Sequence, residues 1–459
     1  MTTREPFLSV RSVEKPLRRA GRYFAVMRYE HRLMAVALCC IAFAGCRKEE
    51  ATHPPVVTIV APGNGFDLSI PDTLHVVADV SGEEDIDKVL FSITDVNGLP
   101  IIEPFQIAPT GNPARLEVEI PIISDLIAGG DYTLTVQANS GDAHGKDQAD
   151  LDISGTPLRL RRLFAIGRPD AGTVSIHIID STGAVSLANT LLMDLGGSGV
   201  SSAASTFAIS GSVEGPLMAF TPDGVQVRWQ KPNLGNSGIP WFTSLDIAED
   251  GRYYVGMTDG TLRGYNATSG AAERVFDLLS GHRVRTSTIV DERMVTAQVD
   301  QSGSTWRLGV YHAASGALIA EQAVDMSVGS MFRRNDTQVL LFGDRDGHGV
   351  VRDHSIADGG GWEPYSWGSG IAAVERVDAN TFLVALTDGT LERFTWSNAG
   401  SIPIADIPEV RDLSLDAVSG LVYAAAGTSV LAIDPQNGQI ASSYSIGAPI
   451  RYVLPLLNR

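Results

Sequence analysis

The chain has 459 residues, with 53 acidic and 35 basic side chains and a formal charge of −18. So acidic a surface repels phosphate backbones, which argues against nucleic acid as a partner. All three cysteines (Cys39, Cys40 and Cys46) lie near the N-terminus. This position excludes a disulfide framework or a thiolate metal site in the remaining residues.

The only strongly apolar segment runs from Leu33 to Ala44. It is shorter than the roughly 20 residues that a membrane-spanning helix needs, but its length is typical of a signal-peptide core. Arg28 and Arg32 precede it and supply the basic region of such a signal. Residues 1–45 are therefore predicted to be a signal peptide, and a start codon further along the chain would give it an ordinary length.

The apolar segment ends in Phe43-Ala44-Gly45-Cys46. This motif resembles the lipobox of bacterial lipoproteins, with Phe43 where the family usually has leucine. The resemblance implies that Cys46 is acylated and anchors the chain to a membrane, with residues 46–55 as a linker. An ordinary cleaved signal with an incidental cysteine, or a buried core helix, are the alternatives.

Four charged residues, Arg47-Lys48-Glu49-Glu50, follow the predicted lipidated cysteine. The second mature residue is not aspartate, the usual inner-membrane retention signal, so the lipoprotein resemblance implies an outer-membrane location. The run Lys48-Glu49-Glu50 also resembles the export tag of surface-exposed lipoproteins. An ordinary solvated linker is the alternative, so periplasmic and surface-exposed orientations both stay open.

Residues 56–155 read as short strands separated by turn signals. Leu116–Ile120 alternates apolar and acidic side chains, as expected of a strand with one buried face. Asn97-Gly98 predicts a tight turn. Six or seven strands in about 100 residues predict an immunoglobulin-like (Ig-like) β-sandwich. The predicted strands are Val56–Val60, Thr73–Val80, Lys88–Ile93, Leu116–Ile120, Tyr132–Ala138 and Ala149–Ile153.

The segment Gly130–Val136 is similar to the penultimate strand of bacterial Ig-like modules. That similarity implies that Tyr132 forms a tyrosine corner, in which its hydroxyl bonds to backbone a few residues earlier. An acidic run precedes the strand at Lys88 and comprises Glu83, Glu84, Asp85 and Asp87. We interpret this run as a solvated loop, with a calcium site as the alternative.

Residues 157–459 carry a repeat of about 40–45 residues, which is typical of a four-stranded propeller blade. In each copy a strand ends in a small or polar residue followed by glycine, at Gly183, Gly270, Gly316, Gly359, Gly400 and Gly438. The first interval is about two periods long, so one blade between them is degenerate. Thr258-Asp259-Gly260-Thr261-Leu262 recurs at 387–391 and predicts the hairpin between second and third strands, with 221–224 as a looser copy.

The propeller region is long enough for seven blades of about 43 residues. The first blade begins with segments that match second and third strands, at 158–167 and 174–180. Residues 450–457 are therefore predicted to supply the missing first strand and to close the ring, since closure hides exposed sheet edges. The predicted fold is all-β: an Ig-like sandwich followed by a seven-bladed β-propeller closed by its C-terminal strand.

The segment Ala432–Gly438 resembles the repeat of quinoprotein-like propellers and overlaps with the patterns of YVTN and WD40-like propellers. The tryptophan that usually follows in the enzymatic members is absent, because Gln439, Ile440 and Ala441 come next. The resemblance therefore implies the non-enzymatic branch, which includes lipoproteins that act as outer-membrane scaffolds.

Candidate catalytic and metal groups are sparse, and we predict no catalytic, cofactor-binding or metal-ligating residue. Asp344–His348 has the start of an acidic calcium loop without its terminal acidic ligand, so a hairpin turn is the better interpretation. His348 and His354 are poorly spaced for zinc, and His282 is interpreted as a loop surface residue. The nucleophile-elbow, zincin and phosphate-loop motifs do not occur.

Aromatic side chains in predicted connections are the candidate ligand contacts, namely Trp241, Trp362, Tyr365 and Trp367. Rings that cover the blade core are the alternative. We therefore expect a lipid-anchored, cell-envelope binding or scaffold protein that uses its propeller for protein or glycan recognition. The alternative is a propeller enzyme, such as a polysaccharide lyase or a quinoprotein-type dehydrogenase.

Overall fold

The computed structural model describes residues 53–96, 98–236 and 238–458. The predicted signal peptide and Cys46 lie outside these residues. Within them the chain is built of β-strands, with one short 3₁₀ helix at Trp396–Asn398. No helix in the described ranges is long and apolar enough to cross a membrane.

The first eight strands form two sheets that share one core. Strands β1, β3 and β6 form one sheet, and β2, β8, β7, β4 and β5 form the other in that order. Buried side chains from both sheets, among them Leu74, Phe91 and Val136, make a single hydrophobic cluster. The bounds are β1 (Val56–Ala61), β2 (Phe66–Ser69), β3 (Asp72–Ser81), β4 (Lys88–Thr94), β5 (Phe105–Ile107), β6 (Ala114–Ile122), β7 (Gly130–Ser140) and β8 (Ala143–Ser154).

The six strands predicted from alternation are present in this sandwich, and two short strands were missed. Strand β2 pairs parallel with β8, and β5 adds three residues at the edge beside β4. Both are too short to show alternation, so only pairing with a neighbour reveals them. The hydroxyl of Tyr132 donates a hydrogen bond to the carbonyl oxygen of Ala128 at 2.8 Å, which ties the start of β7 to the preceding loop.

The rest of the described chain forms a β-propeller of four-stranded antiparallel sheets, called sheets 1 to 7. Within each sheet the strands are named in order from first to fourth. Sheet 1 contains β36 (Ile450–Leu457), β9 (Leu160–Asp170), β10 (Thr173–Ile179) and β11 (Val185–Leu192). Sheet 2 contains β12 (Gly197–Ser201), β13 (Thr206–Ser210), β14 (Leu217–Phe220) and β15 (Val227–Lys231). Sheet 3 contains β16 (Phe242–Ile247), β17 (Tyr253–Met257), β18 (Thr261–Tyr265) and β19 (Ala272–Asp277).

The remaining sheets follow the same plan. Sheet 4 contains β20 (His282–Val290), β21 (Arg293–Asp300), β22 (Trp306–His312) and β23 (Leu318–Val324). Sheet 5 contains β24 (Ser327–Asn335), β25 (Gln338–Arg345), β26 (His348–Ser355) and β27 (Gly361–Ser366). Sheet 6 contains β28 (Ile371–Arg376), β29 (Thr381–Leu386), β30 (Thr390–Thr395) and β31 (Gly400–Asp406). Sheet 7 contains β32 (Val410–Leu415), β33 (Val422–Ala426), β34 (Ser429–Ile433) and β35 (Ile440–Ser445).

Neighbouring sheets pack face to face around a closed ring. The first strands contact one another in the cyclic order β36, β12, β16, β20, β24, β28, β32 and again β36. A hydrophobic cluster fills each interface between successive sheets, including the interface between sheets 7 and 1. The repeated burial of one sheet face against the next is therefore what holds the ring together.

The ring closes through the C-terminal strand. Strand β36 pairs antiparallel with β9, with Leu454 opposite Phe164, in the position that the sequence assigned to the missing first strand. Its side chains enter two interfaces, since Leu456 packs in the cluster between sheets 1 and 2 and Val453 packs against sheet 7. The pairing removes an exposed edge from sheet 1.

The repeated glycines lie in the turns between third and fourth strands. Gly183, Gly270, Gly316, Gly359 and Gly438 have φ between 69° and 85°, a left-handed conformation that glycine adopts readily. In sheet 6 Ala399 takes this conformation instead of the predicted Gly400. The turns at 258–260 and 387–389 join second and third strands as predicted.

The looser copy at 221–224 was assigned to the wrong hairpin. It joins β14 to β15, the third and fourth strands of sheet 2. The hairpin between the second and third strands lies at 211–216, where backbone N–H groups, including those of Val213 and Gly215, donate to the Asp194 carboxylate. A side chain outside the hairpin stabilises this turn, so the hairpin needs no Asp-Gly pair.

One buried side chain joins the sandwich to the propeller. The amide nitrogen of Asn458 donates to oxygens of Asp125, Thr156 and Pro157 at 3.1 to 3.3 Å. Its amide oxygen accepts from the backbone N–H of Arg159 at 2.9 Å. The residue after the closing strand therefore also fixes the junction between the two units.

We expect Leu456→Ala to lower the free energy of unfolding by about 2–5 kcal/mol, because the side chain is 0% exposed and its loss leaves a cavity between sheets 1 and 2. Leu192→Ala is the matched control: it lies on β11 of the same sheet and is 91% exposed. It should change stability by less than about 0.5 kcal/mol. Denaturant unfolding measures both, and equal effects would contradict closure through β36.

Candidate functional site

The seven first strands surround a central cavity of about 600 Å³, which we call the channel cavity. Its lining includes residues from every one of the seven sheets. Hydroxyl groups of Ser244, Ser330 and Ser414 line it beside carboxyl groups of Asp246, Glu375 and Asp412. The lining is therefore polar, although the interfaces between the sheets are apolar.

A β-bulge recurs near the start of the first strand in every sheet except sheet 2. The pairing register shifts by one residue at the same place each time, which leaves one extra residue on the inner strand. A bulge bends the strand and redirects the side chains beside it. The extra residues are Thr243, Arg285, Gly329, Ala372, Arg411 and Arg451.

The carboxyl group of Asp246 is held by the neighbouring sheet. It accepts hydrogen bonds from the hydroxyl of Ser287 at 3.0 Å and from the hydroxyl of Thr286 at 3.3 Å. Burial raises the pKa of Asp246 to about 7, and these hydrogen bonds only partly offset that effect. Burial therefore shifts this carboxyl group toward its protonated form.

Glu375 and Asp412 make the same kind of contact between successive first strands. Glu375 Oε1 accepts from the backbone N–H of Leu415 at 3.0 Å, and Asp412 Oδ2 accepts from that of Val453 at 2.9 Å. Burial raises the pKa of Glu375 to about 8, with a further contribution from the negative charge of Asp412. Burial also raises the pKa of Asp412 to about 7.

The phenol of Tyr452, on the closing strand, is affected by charged groups from several sheets of the ring. Burial raises its pKa to about 12, with added effects from Asp412 and Asp246. The positive charges of Arg451 and Arg285 act in the opposite direction. Asp246 and Arg285 belong to sheets 3 and 4, so groups across the ring influence one phenol. Asp246, Arg285, Asp412 and Tyr452 all line the channel cavity, so a ligand inside it meets groups from several sheets.

The predicted ligand-contact aromatics do not form one site. Trp367 is only 4% exposed, and its indole N–H lies within hydrogen-bond distance of Glu392 (2.8 Å) and Ser401 (3.2 Å). Its ring contacts that of Tyr365, with the ring centroids 5.1 Å apart, in the core between sheets 5 and 6. Trp367 therefore stabilises the propeller and is closed to a ligand in this conformation.

The other two tryptophans lie at separate places. Trp362 is 55% exposed and pairs with Trp396 at a centroid distance of 5.8 Å. Trp241 is partly buried between sheets 2 and 3. Trp362 and Tyr365 are on strand β27 and not in a connection as predicted. Pro364 suggested a break, but β27 is an edge strand, where a missing N–H is tolerated.

The histidines and the acidic turn singled out in the sequence lie in or beside strands and do not form a site. The turn at 346–347 joins β25 to β26, so the hairpin interpretation of Asp344–His348 is confirmed. His354 is buried with its pKa lowered to about 4 by that burial, while His348 is exposed. His282 is the first residue of β20 and not part of a loop. Among the described residues no group of three or more His, Cys, Asp or Glu side chains is arranged to hold a metal.

Comparison with known proteins gives distant structural similarity only. No protein-family model and no curated protein sequence matches the chain. Solved structures to which it is similar include the WD40 β-propeller domain of Doa1 (12% identity, TM-score 0.45, 59% of this chain and 94% of that one). U3-55K is similar at 12% identity and a TM-score of 0.44, covering 57% and 82% of the two chains.

A quinoprotein alcohol dehydrogenase-like protein from Bacteroides thetaiotaomicron VPI-5482 is similar over more of the chain. The identity is 12%, the TM-score 0.45, and the match covers 88% of this chain and 99% of that one. The assignment of a β-propeller to this chain rests on its own sheet order and ring closure.

We expect the pKa of Glu375 to make the protein less stable as pH rises. Its folded pKa of about 8 lies above its ordinary 4.5, so the folded state binds more protons than the unfolded state between these values. Unfolding free energy therefore falls as pH rises through this window. Glu375→Gln keeps the acceptor for Leu415 and removes the titration. Its stability relative to the parent should rise by about 3–4 kcal/mol from pH 5 to pH 8.

The control for this pH series is Glu103→Gln, an exposed glutamate of the sandwich. Its stability relative to the parent should stay constant over the same range. Denaturant unfolding at pH 5, 6, 7 and 8 measures both variants. Parallel curves for Glu375→Gln and the parent would show that the Glu375 carboxyl is ionised in the folded protein.

Proposed function

We propose that this chain is a cell-envelope lipoprotein whose propeller is a binding scaffold for a polar ligand, a glycan or a segment of a protein. The polar channel cavity, open to solvent and lined by all seven sheets, is the observation that carries this proposal. Ligand sites are typically concave, with a few convergent polar groups on a rigid framework. The hydroxyl and carboxyl groups described above supply such donors and acceptors.

We classify the propeller as seven-bladed, with each four-stranded sheet as one blade. The cyclic order of first-strand contacts supports this classification. We classify residues 56–155 as an Ig-like module, supported by two sheets around one core and by the Tyr132–Ala128 hydrogen bond, which has the form of a tyrosine corner. In this proposal the module is a spacer between the anchor and the propeller of residues 157–459.

The anchor and the outer-membrane location are proposed from the sequence alone. Cys46 follows an apolar signal core and small residues, and nine residues separate it from the first strand of the sandwich. The part of the chain from Cys46 onward has 50 acidic and 27 basic side chains and therefore no electrostatic affinity for anionic lipids, so lipid on the cysteine would provide the attachment.

We expect Cys46→Ser to release the protein from membranes into the soluble fraction, because stable attachment requires acyl chains on this residue. Cys39→Ser, in the signal core, is the control and should leave the protein membrane-bound. Cell fractionation followed by a salt wash measures both. A Cys46→Ser protein that stays with washed membranes would refute the lipid anchor.

We expect blocking the channel to abolish ligand binding without unfolding the protein. Gly199 lines the channel cavity, and an added Cβ there meets no atom within 4 Å. Gly199→Phe should weaken binding at least tenfold to any oligosaccharide that the parent binds, because the ring projects into the cavity and takes up part of the space for the ligand. Gly63→Phe, at an equally open position in the sandwich, is the control. Calorimetric titration with neutral and acidic oligosaccharides measures both.

A propeller enzyme is the second candidate function, favoured by the raised pKa values of Asp246, Glu375 and Asp412 in one cavity. Carboxyl groups with a pKa near 7 are suited to general acid or base catalysis. Chromatography of the same oligosaccharides after prolonged incubation distinguishes the two functions. Unchanged oligosaccharides favour the scaffold, and time-dependent products favour the enzyme.

A further inference from the structure

Three arginines occupy the same bulge position at the start of their first strands. Arg285 is the extra residue of β20, Arg411 of β32 and Arg451 of β36. None of the three guanidinium groups has an ion-pair or hydrogen-bond partner among the residues that the structure describes. We call these three residues the mouth arginines.

Several other arginines of the propeller have acidic partners, although Arg283 and Arg293 share the lack of one in the described chain. On outer strands Arg252 pairs with Glu273, Arg263 with Asp259 and Arg307 with Glu321. Acidic groups outnumber basic groups by 53 to 35, so partners are abundant. What sets these three arginines apart is their shared bulge position around one channel. With no acidic group of the described chain in contact, their positive charges are available to an external anion.

Two of the mouth arginines, Arg285 and Arg451, act on a common space. Arg285 lines the channel cavity and influences the pKa of Tyr452, which belongs to the closing strand across the ring. Arg451 precedes Tyr452 and influences the same phenol. Arg411 and Arg451 lie on β32 and β36, which contact each other in the ring. A single carboxylate-sized anion above Tyr452 lies within the electrostatic range of at least two of these cations.

An aromatic ring borders the same space. A second cavity of about 210 Å³, the side cavity, is lined by Arg285, Trp306 and Asp344. It shares Arg285, Gly329 and Ser330 with the channel cavity, so the two adjoin. Gly329 and Ala372, both bulge residues, have small or no side chains and leave room beside the half-buried Trp306.

We propose that the end of the channel cavity beside the mouth arginines binds a carboxylate-bearing sugar residue of an acidic glycan. Arg285 and Arg451, supported by Arg411, would hold the carboxylate through charge-assisted hydrogen bonds. Trp306 would pack against the C–H face of the sugar ring. The serines of the channel lining, Ser244, Ser330 and Ser414, would form hydrogen bonds with its hydroxyl groups. This inference rests on the proposed binding function and names the ligand class for the same site.

The lining favours a sugar over an acidic peptide. Ser244, Ser330 and Ser414 with the channel carboxyl groups form a dense set of donors and acceptors that matches vicinal hydroxyl groups. An acidic peptide presents carboxylates and backbone amides but no array of hydroxyl groups, so it matches this set less well. Burial raises the pKa of Asp246 and Asp412 to about 7, which reduces the negative charge beneath the bound carboxylate.

The test uses oligogalacturonate and its methyl ester, two probes with one sugar skeleton that differ in charge. The full chain purified in detergent should bind the free acid at least tenfold more tightly than the ester. Arg285→Gln with Arg451→Gln should remove this preference without changing the melting temperature, because Arg285 is exposed and Arg451 half-buried. Arg293→Gln, at the other end of sheet 4, should behave like the parent.

Two further variants refine the result. Arg285→Lys keeps the charge without the planar fork, so it should retain part of the preference for the free acid. Trp306→Tyr should weaken both probes by a similar factor, since stacking acts on the ring that they share. If both probes bind equally and the double arginine variant binds them as tightly as the parent does, the acidic-sugar inference is overturned while the binding function stands.

The remaining outcomes are also decisive. If a glutamate hexapeptide binds through the mouth arginines and oligogalacturonate does not, the ligand is an acidic peptide and the glycan inference is wrong. If neutral oligosaccharides bind in a manner that Gly199→Phe abolishes and acidic ones do not, only the acidic preference is wrong. If no oligosaccharide binds, the glycan arm of the proposed function fails together with this inference.

Discussion

The structure depends on the pairing of the C-terminal strand β36 with β9 near the start of the propeller. Without this pairing, sheet 1 has an open edge and the interfaces with sheets 2 and 7 lose side chains such as Leu456 and Val453. Because every other sheet is held only by its two neighbours, an opening at one interface leaves the whole ring unclosed. The same strand supplies Tyr452 to the channel and is followed by Asn458 at the junction with the sandwich.

The carboxyl groups that line the channel cavity also depend on closure of the ring. Glu375 and Asp412 each accept a hydrogen bond from backbone of the next first strand, so they bind adjacent sheets together while they face the cavity. Their raised pKa values follow from a position that exists only when the ring is closed. A site built on rigid strands is well positioned, but its charge state depends on the packing of the whole propeller.

Much of the fold could be predicted from the sequence because turns carry local signals. A glycine with positive φ recurs in the turn between the third and fourth strands of most sheets, and apolar alternation marks strands of the sandwich. The hairpin at 211–216 could not be found this way, since the distant Asp194 stabilises it. Strands β2 and β27 were missed because one is short and the other contains Pro364, so only pairing reveals them.

Little of the candidate site could be predicted, and the reason is geometric. Asp246, Glu375 and Asp412 lie roughly forty or more residues apart on different strands, and nothing local marks them as neighbours. Arg285, Arg411 and Arg451 become equivalent only through a bulge that sequence alone does not reveal. Conspicuous residues such as Trp367 prove to be core, because large rings fill the space between twisted sheets. Three arginines at the same end of the first strands place positive charge where the ring is open, and a local potential of this kind attracts an anion even when the protein as a whole is acidic.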